Sequence, residues 1–397
     1  MFSVIPFIAL WGASLGFRLL QFERGFEELL GLNKAFAFSI DKAFESFARQ
    51  FQKVYESPTE AAYRESVFLR NLEEVVRFEK KGDDGYHLGV NRFSDLTFEE
   101  FESKYLMKNV QEFSENLSSS EKKITQSASD LNKNGQHSVS KSTQTDPASK
   151  QGRKLQSIFD FLDFPSRQSF TNPIYSTPLR DFSRPTRIPA QKSWKNFATP
   201  VKDQDKCAAC YAFAALSAIE IVTRSASLSA QQIIDCSPLD DGCVGGNPLF
   251  SLDYLRRYGA ALDESYSFSG SRQTCRSNSV PRTRIAVRYE RIRPSVLEIL
   301  NALQRGPVAV VHVANSRLKA FSGGIYADQN CNGRLNHAAT IVGYNLKAPT
   351  PFFELKNAWG SSWGEQGYYR MAIGPLTNEN PGLCRMLDNP TIVSVTA

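Results

Sequence analysis

The sequence predicts an α+β protein with a helical unit near the N-terminus, a second mainly helical stretch and a C-terminal sheet. Apolar side chains recur at helical spacing within residues 36–106, and helical signals dominate again over 210–258. Short β-rich runs then follow at 307–313, 338–344, 352–356 and 368–373. With 397 residues and 41% hydrophobic side chains, the chain can hold two or three domains with a substantial core.

The charge pattern disfavours one class of partner. The net charge of +6 comes from mixed Lys, Arg, Asp and Glu rather than from a basic block. No long Lys/Arg run with interleaved aromatic side chains is present, so nucleic acid is not an expected partner.

The N-terminal segment, residues 1–20, begins with an uncharged apolar run from Met1 to Phe17 that is short for a membrane span. We interpret it as a secretory signal peptide, although it lacks the usual basic start and Pro6 interrupts it. An uncleaved signal-anchor and an apolar core helix remain alternatives. The chain would contact a membrane only if this segment is retained.

Residues 36–106 are expected to form a compact, mainly helical unit. Pro58 breaks the chain, and a second helix is predicted to run to about Lys81. The first helix carries one apolar stripe at helical spacing, formed by Phe44, Phe47, Phe51 and Tyr55. Taken alone, this pattern indicates a small core with a solvated outer face.

Residues 107–187 separate this unit from the rest of the chain. From about Met107 to Arg153 the composition is rich in Ser, Lys, Asn, Gln and Thr, with hardly an aromatic residue. This favours a disordered linker, because too little apolar area is available to offset chain entropy. Residues 154–187 regain aromatic side chains, which we interpret as an extra segment that docks on the folded protein.

The segment from Gln204 to Glu220 opens a strong helix. From Cys210 onward it is rich in helix formers and lacks Gly and Pro, which places Cys210 in the first turn. A thiol there faces unpaired N–H groups and the positive end of the helix dipole, and both favour the nucleophilic thiolate. A redox dithiol or half of a metal site, formed with Cys207, is the alternative. Neither a thioredoxin-like βαβ context nor a second Cys-x-x-Cys supports it, so no metal or cofactor is expected.

Two downstream residues complete a pattern with Cys210. His337 and Asn357 follow it at roughly the 130–150-residue spacing of a catalytic Cys/His/Asn set. The other histidines lie in no such context and are interpreted as surface or core residues: His87, His137 and His312. With the Cys-Ala-Ala-Cys-Tyr motif that ends at Tyr211, this order resembles the papain/cathepsin family of cysteine proteases.

The unit at 36–106 resembles the inhibitory prosegment of cathepsin L-like members of that family. Its second helix matches the family motif at Glu60, Arg64, Val67, Phe68, Asn71 and Val75. Glu79 replaces the final Asn of that motif. A second signature, Gly-x-Asn-x-Phe-x-Asp, is matched in full by Gly89, Asn91, Phe93 and Asp95. The resemblance implies a zymogen whose partners are its own prosegment and protein or peptide substrates.

The peptidase is expected at 188–397, with a helical left domain, an antiparallel β right domain and the active site in the cleft between them. All seven cysteines fall in this part. Spacing alone leaves their pairing open. The resemblance implies the pairs Cys207 with Cys243, Cys236 with Cys275, and Cys331 with Cys384, with Cys210 free. Such cross-links imply an oxidising route through the secretory pathway, ending in a lysosome-like compartment, an acidic vacuole or the extracellular space.

The resemblance also implies roles for single residues. Cys210 would attack the scissile carbonyl, His337 would carry the proton, and Asn357 would orient the imidazole. The side chain of Gln204 and the N–H of Cys210 would donate to the oxyanion, while Trp359 shields the His–Asn hydrogen bond from water.

Substrate contacts follow from the same resemblance. Gly245 and Gly246 would let the substrate backbone approach closely, as an extended strand. A pocket for the second residue before the scissile bond would be lined by Asn247, Pro248, Leu249, Val311, Leu335 and Ala338, with Asn389 near its floor. Apolar walls favour an apolar side chain over arginine, unless Asp388 turns inward and supplies a charge.

Four positions depart from the family pattern: Ala208, Tyr211, Val244 and Ala358 stand where Gly, Trp, Asn and Ser are commoner. They bear on catalytic efficiency rather than on identity. An inactive homologue that only binds proteins is the other alternative, and it is disfavoured because no catalytic position is lost.

Overall fold

The structure is a computed structural model, and it describes residues 34–82, 85–108, 110, 188–374 and 382–395. The apolar segment 1–20 and the linker beyond residue 110 lie outside these ranges. The described residues belong to one compact unit. Within them, no helix combines the length and the apolar composition needed to cross a membrane.

The N-terminal part folds as three helices and a short strand. In chain order they are α1 (Lys34–Gln50), α2 (Pro58–Lys81), β1 (Tyr86–Leu88) and α3 (Phe98–Tyr105). Helix α2 begins where the Ser57 side chain accepts from the Glu60 N–H and Pro58 takes the first helical position. Thr97 and Glu100 form a capping box at the start of α3.

The predicted aromatic stripe of α1 is buried against α2. The rings of Phe47 and Phe68 lie 4.7 Å apart, and those of Phe44 and Phe68 lie 5.6 Å apart. Leu72 completes this small core. Stacked and tilted rings at these separations stabilise the helix pair beyond their buried area alone.

The C-terminal part contains the remaining helices of the described chain. They are α4 (Cys210–Thr223), α5 (Ala230–Cys236), α6 (Pro248–Tyr258), α7 (Val296–Ala302) and α8 (Ser316–Lys319). Helix α4 is central, because every side chain from Cys210 to Ile221 is buried. The Thr340 hydroxyl donates to the Ala214 carbonyl at 2.9 Å and ties α4 to the sheet.

The sheet contains strands from both parts of the chain. Its strands besides β1 are β2 (Gln191–Ser193), β3 (Val287–Arg291), β4 (Val308–His312), β5 (Phe321–Tyr326), β6 (His337–Asn345), β7 (Phe352–Lys356), β8 (Tyr368–Ala372) and β9 (Thr391–Val395). They are ordered β1-β5-β8-β7-β6-β4-β9-β3, and β2 pairs with the end of β6. The predicted β-rich runs correspond to β4, β6, β7 and β8.

The α+β class is confirmed, with one correction to the sheet. The expected antiparallel pairing holds for the other strand pairs, whereas β5 and β8 run parallel. The chain leaves β5, forms β6 and β7 on the far side of β8, and only then returns, so the two strands point the same way. The antiparallel pair of β1 with β5 joins the N-terminal unit to the edge of this sheet.

Three disulfides cross-link the C-terminal part: Cys207 with Cys243, Cys236 with Cys275, and Cys331 with Cys384. They close sequence separations of 36, 39 and 53 residues. Each such cross-link contributes on the order of 3–4 kcal/mol by restricting the unfolded chain. Within the described residues, Cys210 is the free cysteine, and it is buried.

Candidate active site

Cys210 lies where a helix start meets a strand start. It is the first residue of α4, and Ala209 before it provides no side-chain cap. Its Sγ accepts a hydrogen bond from the Ala338 N–H at 3.3 Å, at the beginning of β6. The Cys207–Cys243 disulfide holds the segment just before the helix. The thiol is therefore fixed by helix, strand and disulfide together.

His337, the first residue of β6, is oriented by Asn357. Its Nε2 lies 2.8 Å from Asn357 Oδ1, and the Ala358 N–H donates to the same Oδ1 at 2.8 Å. An atom that accepts from a backbone N–H is an oxygen, so His337 Nε2 carries the proton and donates. Nδ1 is then the unprotonated nitrogen, and it is buried without a partner among the described residues.

Trp359 covers this histidine. The ring centroids of Trp359 and His337 lie 4.4 Å apart, and the indole is fully buried. Burial of this kind keeps water from competing for the His337–Asn357 hydrogen bond, which strengthens it.

Burial under the prosegment favours the neutral form of both Cys210 and His337. Burial raises the pKa of the Cys210 thiol to about 12, against the opposing effect of the N–H groups of Ala338, Tyr211 and Cys210 itself. Burial also lowers the pKa of His337 well below its usual value, helped by neighbouring His312. In the precursor, burial therefore favours the thiol, against the preference for thiolate that the helix start provides.

The backbone of residues 105–108 covers the site. The Gln204 side-chain amide donates to the Tyr105 carbonyl at 2.9 Å. The Met107 N–H donates to the Asn336 carbonyl at 2.7 Å, and the Lys108 N–H to the Val244 carbonyl at 3.0 Å. Together these contacts exclude solvent from Cys210, Gln204 and His337, each of which is fully buried.

The two glycines expected at the substrate backbone have different neighbours. A Cβ at Gly245 would lie 3.2 Å from Met107 Cβ and 3.6 Å from the Lys108 nitrogen, so the covering chain approaches this residue closely. A Cβ at Gly246 would instead overlap Asp240 Oδ1 and the Tyr211 ring. The missing side chain of Gly245 therefore lets the covering segment approach closely. The missing side chain of Gly246 instead leaves room for Asp240 and the Tyr211 ring.

The residues expected around the selectivity pocket fall into three places. Val311 and Ala338 face each other across β4 and β6, and Leu335 is buried just before β6. At the start of α6, Asn247 accepts from the Leu249 N–H with its side chain and Pro248 is the first helical residue. Asn389 is half-buried just before β9. Asp388 beside it is paired with Arg385 at 2.7 Å.

The sequence pattern predicts only a surface or core residue at His312, and the structure places it directly beside His337. The two are opposite each other in the β4–β6 register, with ring centroids 5.4 Å apart. His312 Nδ1 lies 3.1 Å from the Val313 carbonyl and Nε2 lies 2.6 Å from the Tyr369 hydroxyl. Burial lowers its pKa to about 4, and charge repulsion between the two rings also lowers the pKa of His337. Only strand register, which spacing does not reveal, could have identified it.

Two family models match the chain. "Papain family cysteine protease" matches residues 185–392, and "Cathepsin propeptide inhibitor domain" matches residues 44–101. The chain belongs to the papain family of cysteine proteases. It is accordingly a cysteine peptidase made as a zymogen, with a propeptide that acts as an intramolecular inhibitor.

Curated relatives of this papain-family chain match most of its length. Fruit bromelain of Ananas comosus is 26% identical, over 86% of this chain and 83% of its own. Digestive cysteine proteinase 1 of Homarus americanus is 29% identical, over 92% and 98%. Cathepsin L-like proteinase of Fasciola hepatica is 27% identical, over 84% and 89%.

Solved precursors share the fold. A recombinant stem bromelain precursor aligns with TM-score 0.65 at 23% identity, over 90% of this chain and 100% of its own. Digestive procathepsin L 3 of Tenebrio molitor larval midgut gives TM-score 0.65 at 23% identity, over 90% and 99%. The papain-like fold with a preceding helical prosegment is thereby established, whereas residue roles depend on the geometry above.

Proposed function

We propose that this chain is the precursor of an endopeptidase in which Cys210 is the nucleophile and His337 the general acid and base. The observation that carries the proposal is the set of contacts around the thiol. Cys210 Sγ, the His337–Asn357 pair and the Gln204 amide are buried together under residues 105–108. Removal of that cover readmits water and allows the thiolate–imidazolium pair to form.

In the proposed mechanism, the Cys210 thiolate attacks the scissile carbonyl and forms an acyl-enzyme. His337 first takes the thiol proton on Nδ1 and then donates it to the leaving amine, while Asn357 holds Nε2–H. Water hydrolyses the acyl-enzyme with His337 as base. Trp359 keeps the His337–Asn357 hydrogen bond dry.

The oxyanion would be bound by the Gln204 side-chain amide and the Cys210 N–H. In the precursor the Tyr105 carbonyl oxygen accepts from Gln204 Nε2 and stands in for a substrate carbonyl. A donor of this kind is worth about 3–4 kcal/mol in the transition state. The prosegment therefore uses a donor that catalysis needs.

Acid would release the prosegment through its ion pairs. Asp95 accepts from Lys53 Nζ at 2.7 Å and from the Tyr55 hydroxyl at 3.2 Å. Arg64 donates to both carboxylate oxygens of Glu100, at 2.8 and 2.7 Å. The contacts of Asp95 link the loop between α1 and α2 to the turn before α3, and the Arg64–Glu100 pair links α2 to α3.

The pKa of Glu100 fixes the direction of the pH effect. Burial alone would raise this pKa, but hydrogen bonds from the Thr97 N–H and the Arg64 guanidinium hold it below its ordinary value. A lowered carboxyl pKa stabilises the folded unit above the unfolded value of about 4.3, and this is lost as pH falls through the lower folded pKa. We therefore expect acidification to about pH 4 to loosen the prosegment.

The proposed selectivity is for an apolar side chain two positions before the scissile bond. Val311, Leu335 and Ala338 belong to one buried apolar cluster, which also contains Met107 of the covering segment. The carboxylate of Asp388, the alternative partner for an arginine, is already paired with Arg385. An arginine placed there would lose hydration without gaining an opposite charge.

The proposed organisation assigns 36–106 to the inhibitory prosegment, 107–187 to a removable linker and extra propeptide, and 188–397 to the peptidase. Residues 1–20 would direct the chain into the secretory pathway, as a cleaved signal or a retained anchor. The three disulfides of the peptidase support an oxidising route. The enzyme would then work in an acidic lysosome-like compartment, a vacuole or outside the cell.

One experiment tests the proposed function. The recombinant precursor is acidified to about pH 4, and the N-termini of its products are sequenced beside a Cys210→Ala control. We expect a product that begins near Ile188, hydrolyses peptides and is labelled at Cys210 by an epoxide that alkylates activated thiols. A stable product without peptidase activity and without labelling at Cys210 would contradict the proposal.

A further inference from the structure

Lys319 is a buried cation of the peptidase at the prosegment interface. It is the last residue of α8 and only 4% exposed. Its Nζ donates to the Leu96 carbonyl at 2.7 Å and lies 3.5 Å from Asn71 Oδ1. Both acceptors belong to the prosegment, so removing that segment leaves the ammonium at the peptidase surface without these partners.

This lysine is connected to the catalytic histidine by two tryptophans. The Trp363 indole N–H donates to the Lys319 carbonyl at 3.1 Å. The Trp363 and Trp359 rings lie 4.8 Å apart, and the Trp359 ring lies 4.4 Å from that of His337. Lys319 therefore belongs to the wall of the site that carries His337 and Trp359.

The covering chain shows which half of the substrate would meet that wall. N-terminal to Tyr105, whose carbonyl accepts from Gln204, the prosegment packs Phe93 and Phe101 on Trp359. After it, residues 107–108 lie against Asn336, Val244 and Gly245. Under the proposed function the acyl half of a substrate lies along Gly245, so the leaving half extends over Trp359 toward Lys319.

The carboxylates that act on Lys319 come from the prosegment. Burial lowers the pKa of Lys319 to about 8, and the opposing charges that raise it are those of Glu74, Asp95, Glu99 and Glu100. The peptidase acids nearby have other partners: Asp328 pairs with Arg317 and Glu365 with Arg370. Asp203 and Asp205 instead face Arg92 of the prosegment.

We propose that Lys319 determines specificity on the leaving side of the active site, where it binds an acidic side chain within the first three residues after the scissile bond. In the precursor, the Leu96 carbonyl and Asn71 amide oxygens occupy the positions that a substrate carboxylate would take. The inference rests on the proposed function and extends it to a substrate class, peptides with Asp or Glu just beyond the cleaved bond. An anchor for the prosegment alone would leave substrate choice unaffected.

The test uses matched peptides on the acid-activated enzyme, with active sites counted by epoxide titration. Each pair differs by Glu or Gln at one of the three positions after the cleaved bond. The assays are run near pH 5.5, where a glutamate side chain is ionised and Lys319 is charged. For one position we expect kcat/KM about two- to fivefold higher for Glu than for Gln, the range of a partly exposed ion pair.

Three substitutions separate charge from shape. Lys319→Gln should bring the Glu/Gln ratio to one, Lys319→Glu should invert it, and Lys319→Arg should retain it. Lys347→Gln, an equal loss of charge on an exposed turn, should leave the ratio at its wild-type value. A ratio that is unchanged in Lys319→Gln would overturn the inference.

A further measurement keeps the inference testable if Lys319→Gln does not mature. For the wild-type enzyme, the Glu/Gln ratio should fall toward one between about 50 mM and 1 M salt, because an exposed ion pair is screened. If the peptides are cleaved but the Glu/Gln ratio does not depend on salt, or no position shows a preference for Glu, the inference about Lys319 is contradicted. If the enzyme cleaves none of the peptides, the proposed function itself is contradicted.

Discussion

Different kinds of interaction stabilise the fold of the peptidase and the fold of its prosegment. The peptidase is cross-linked by three disulfides and organised around α4, whose side chains from Cys210 to Ile221 are all buried. The prosegment contains no cysteine. Besides its small aromatic core around Phe68, it depends on ion pairs such as Arg64 with Glu100 and on an edge strand paired with β5.

Because the prosegment has ion pairs but no disulfide, we expect acid to weaken it more than it weakens the peptidase. Disulfides and apolar packing are insensitive to acid, whereas the Glu100 carboxylate, whose pKa is held below its ordinary value, loses its stabilising charge as pH falls below about 4.3. We therefore expect acid to loosen the prosegment while the disulfide-linked peptidase stays folded. The substitutions below test that division, from the largest expected effect to the smallest.

Cys210→Ala should have the largest effect, because it removes the activity of the peptidase and leaves the prosegment in place. We expect peptidase activity to fall by at least about 10⁴-fold, because the nucleophile is lost, while the precursor remains folded. The acidified variant should stay uncut until another protease is added. Measurable self-processing of the variant would show that the nucleophile lies elsewhere.

Gln204→Ala affects a donor used by both regions. It should lower kcat of the mature enzyme by about 10²–10³-fold, the usual effect of removing one oxyanion donor. Gln329→Ala, at an exposed position, is the matched control and should leave kcat unchanged. Equal kcat values for wild type and Gln204→Ala would remove this side chain from the oxyanion site.

The apolar pocket should discriminate between substrates. Peptides with Leu, Val or Phe two positions before the scissile bond should be cleaved at least about tenfold more efficiently than the Arg analogue, because the guanidinium would lose hydration there. Asp388→Asn should leave this ratio unchanged, since Arg385 already neutralises Asp388. Equal kcat/KM values for the Leu and Arg peptides would contradict the pocket assignment.

Arg64→Met should mimic the effect of acid on the prosegment alone. It removes the pair with Glu100 at 2.7 Å, and we expect precursor conversion near pH 6 to be about fivefold faster. Arg77→Met on the same helix is the control, because the Arg77–Glu73 pair is exposed, with side chains 77% and 69% accessible. Identical conversion rates for the two variants would show that the partly buried Arg64–Glu100 pair does not hold the prosegment.

Local sequence signals predicted much of this fold. The runs at 307–313, 338–344, 352–356 and 368–373 correspond to β4, β6, β7 and β8, and α4 begins at Cys210 as expected. Strand β5 was missed because Gly323 and Gly324 lie within it, and glycine weakens a strand signal. Strand β1 has only three residues, and its partner lies more than 200 residues away.

The candidate site was predicted from motif order, while its electrostatics were not. A thiolate follows from the helix start at Cys210 taken alone, but burial under the prosegment reverses that result. The proximity of His312 to His337 depends on strand register, and the burial of Lys319 depends on a contact with Leu96. Such long-range contacts leave no signature in local composition or spacing.

The central claim is that the prosegment keeps Cys210 a buried, protonated thiol and that its removal creates the reactive ion pair. The most direct test is the alkylation rate of Cys210 by iodoacetamide, measured on precursor and mature enzyme between about pH 6 and pH 8. We expect the mature enzyme to react at least about 100-fold faster throughout this range, because only its sulfur is an exposed thiolate. Comparable rates for the two forms would contradict the account.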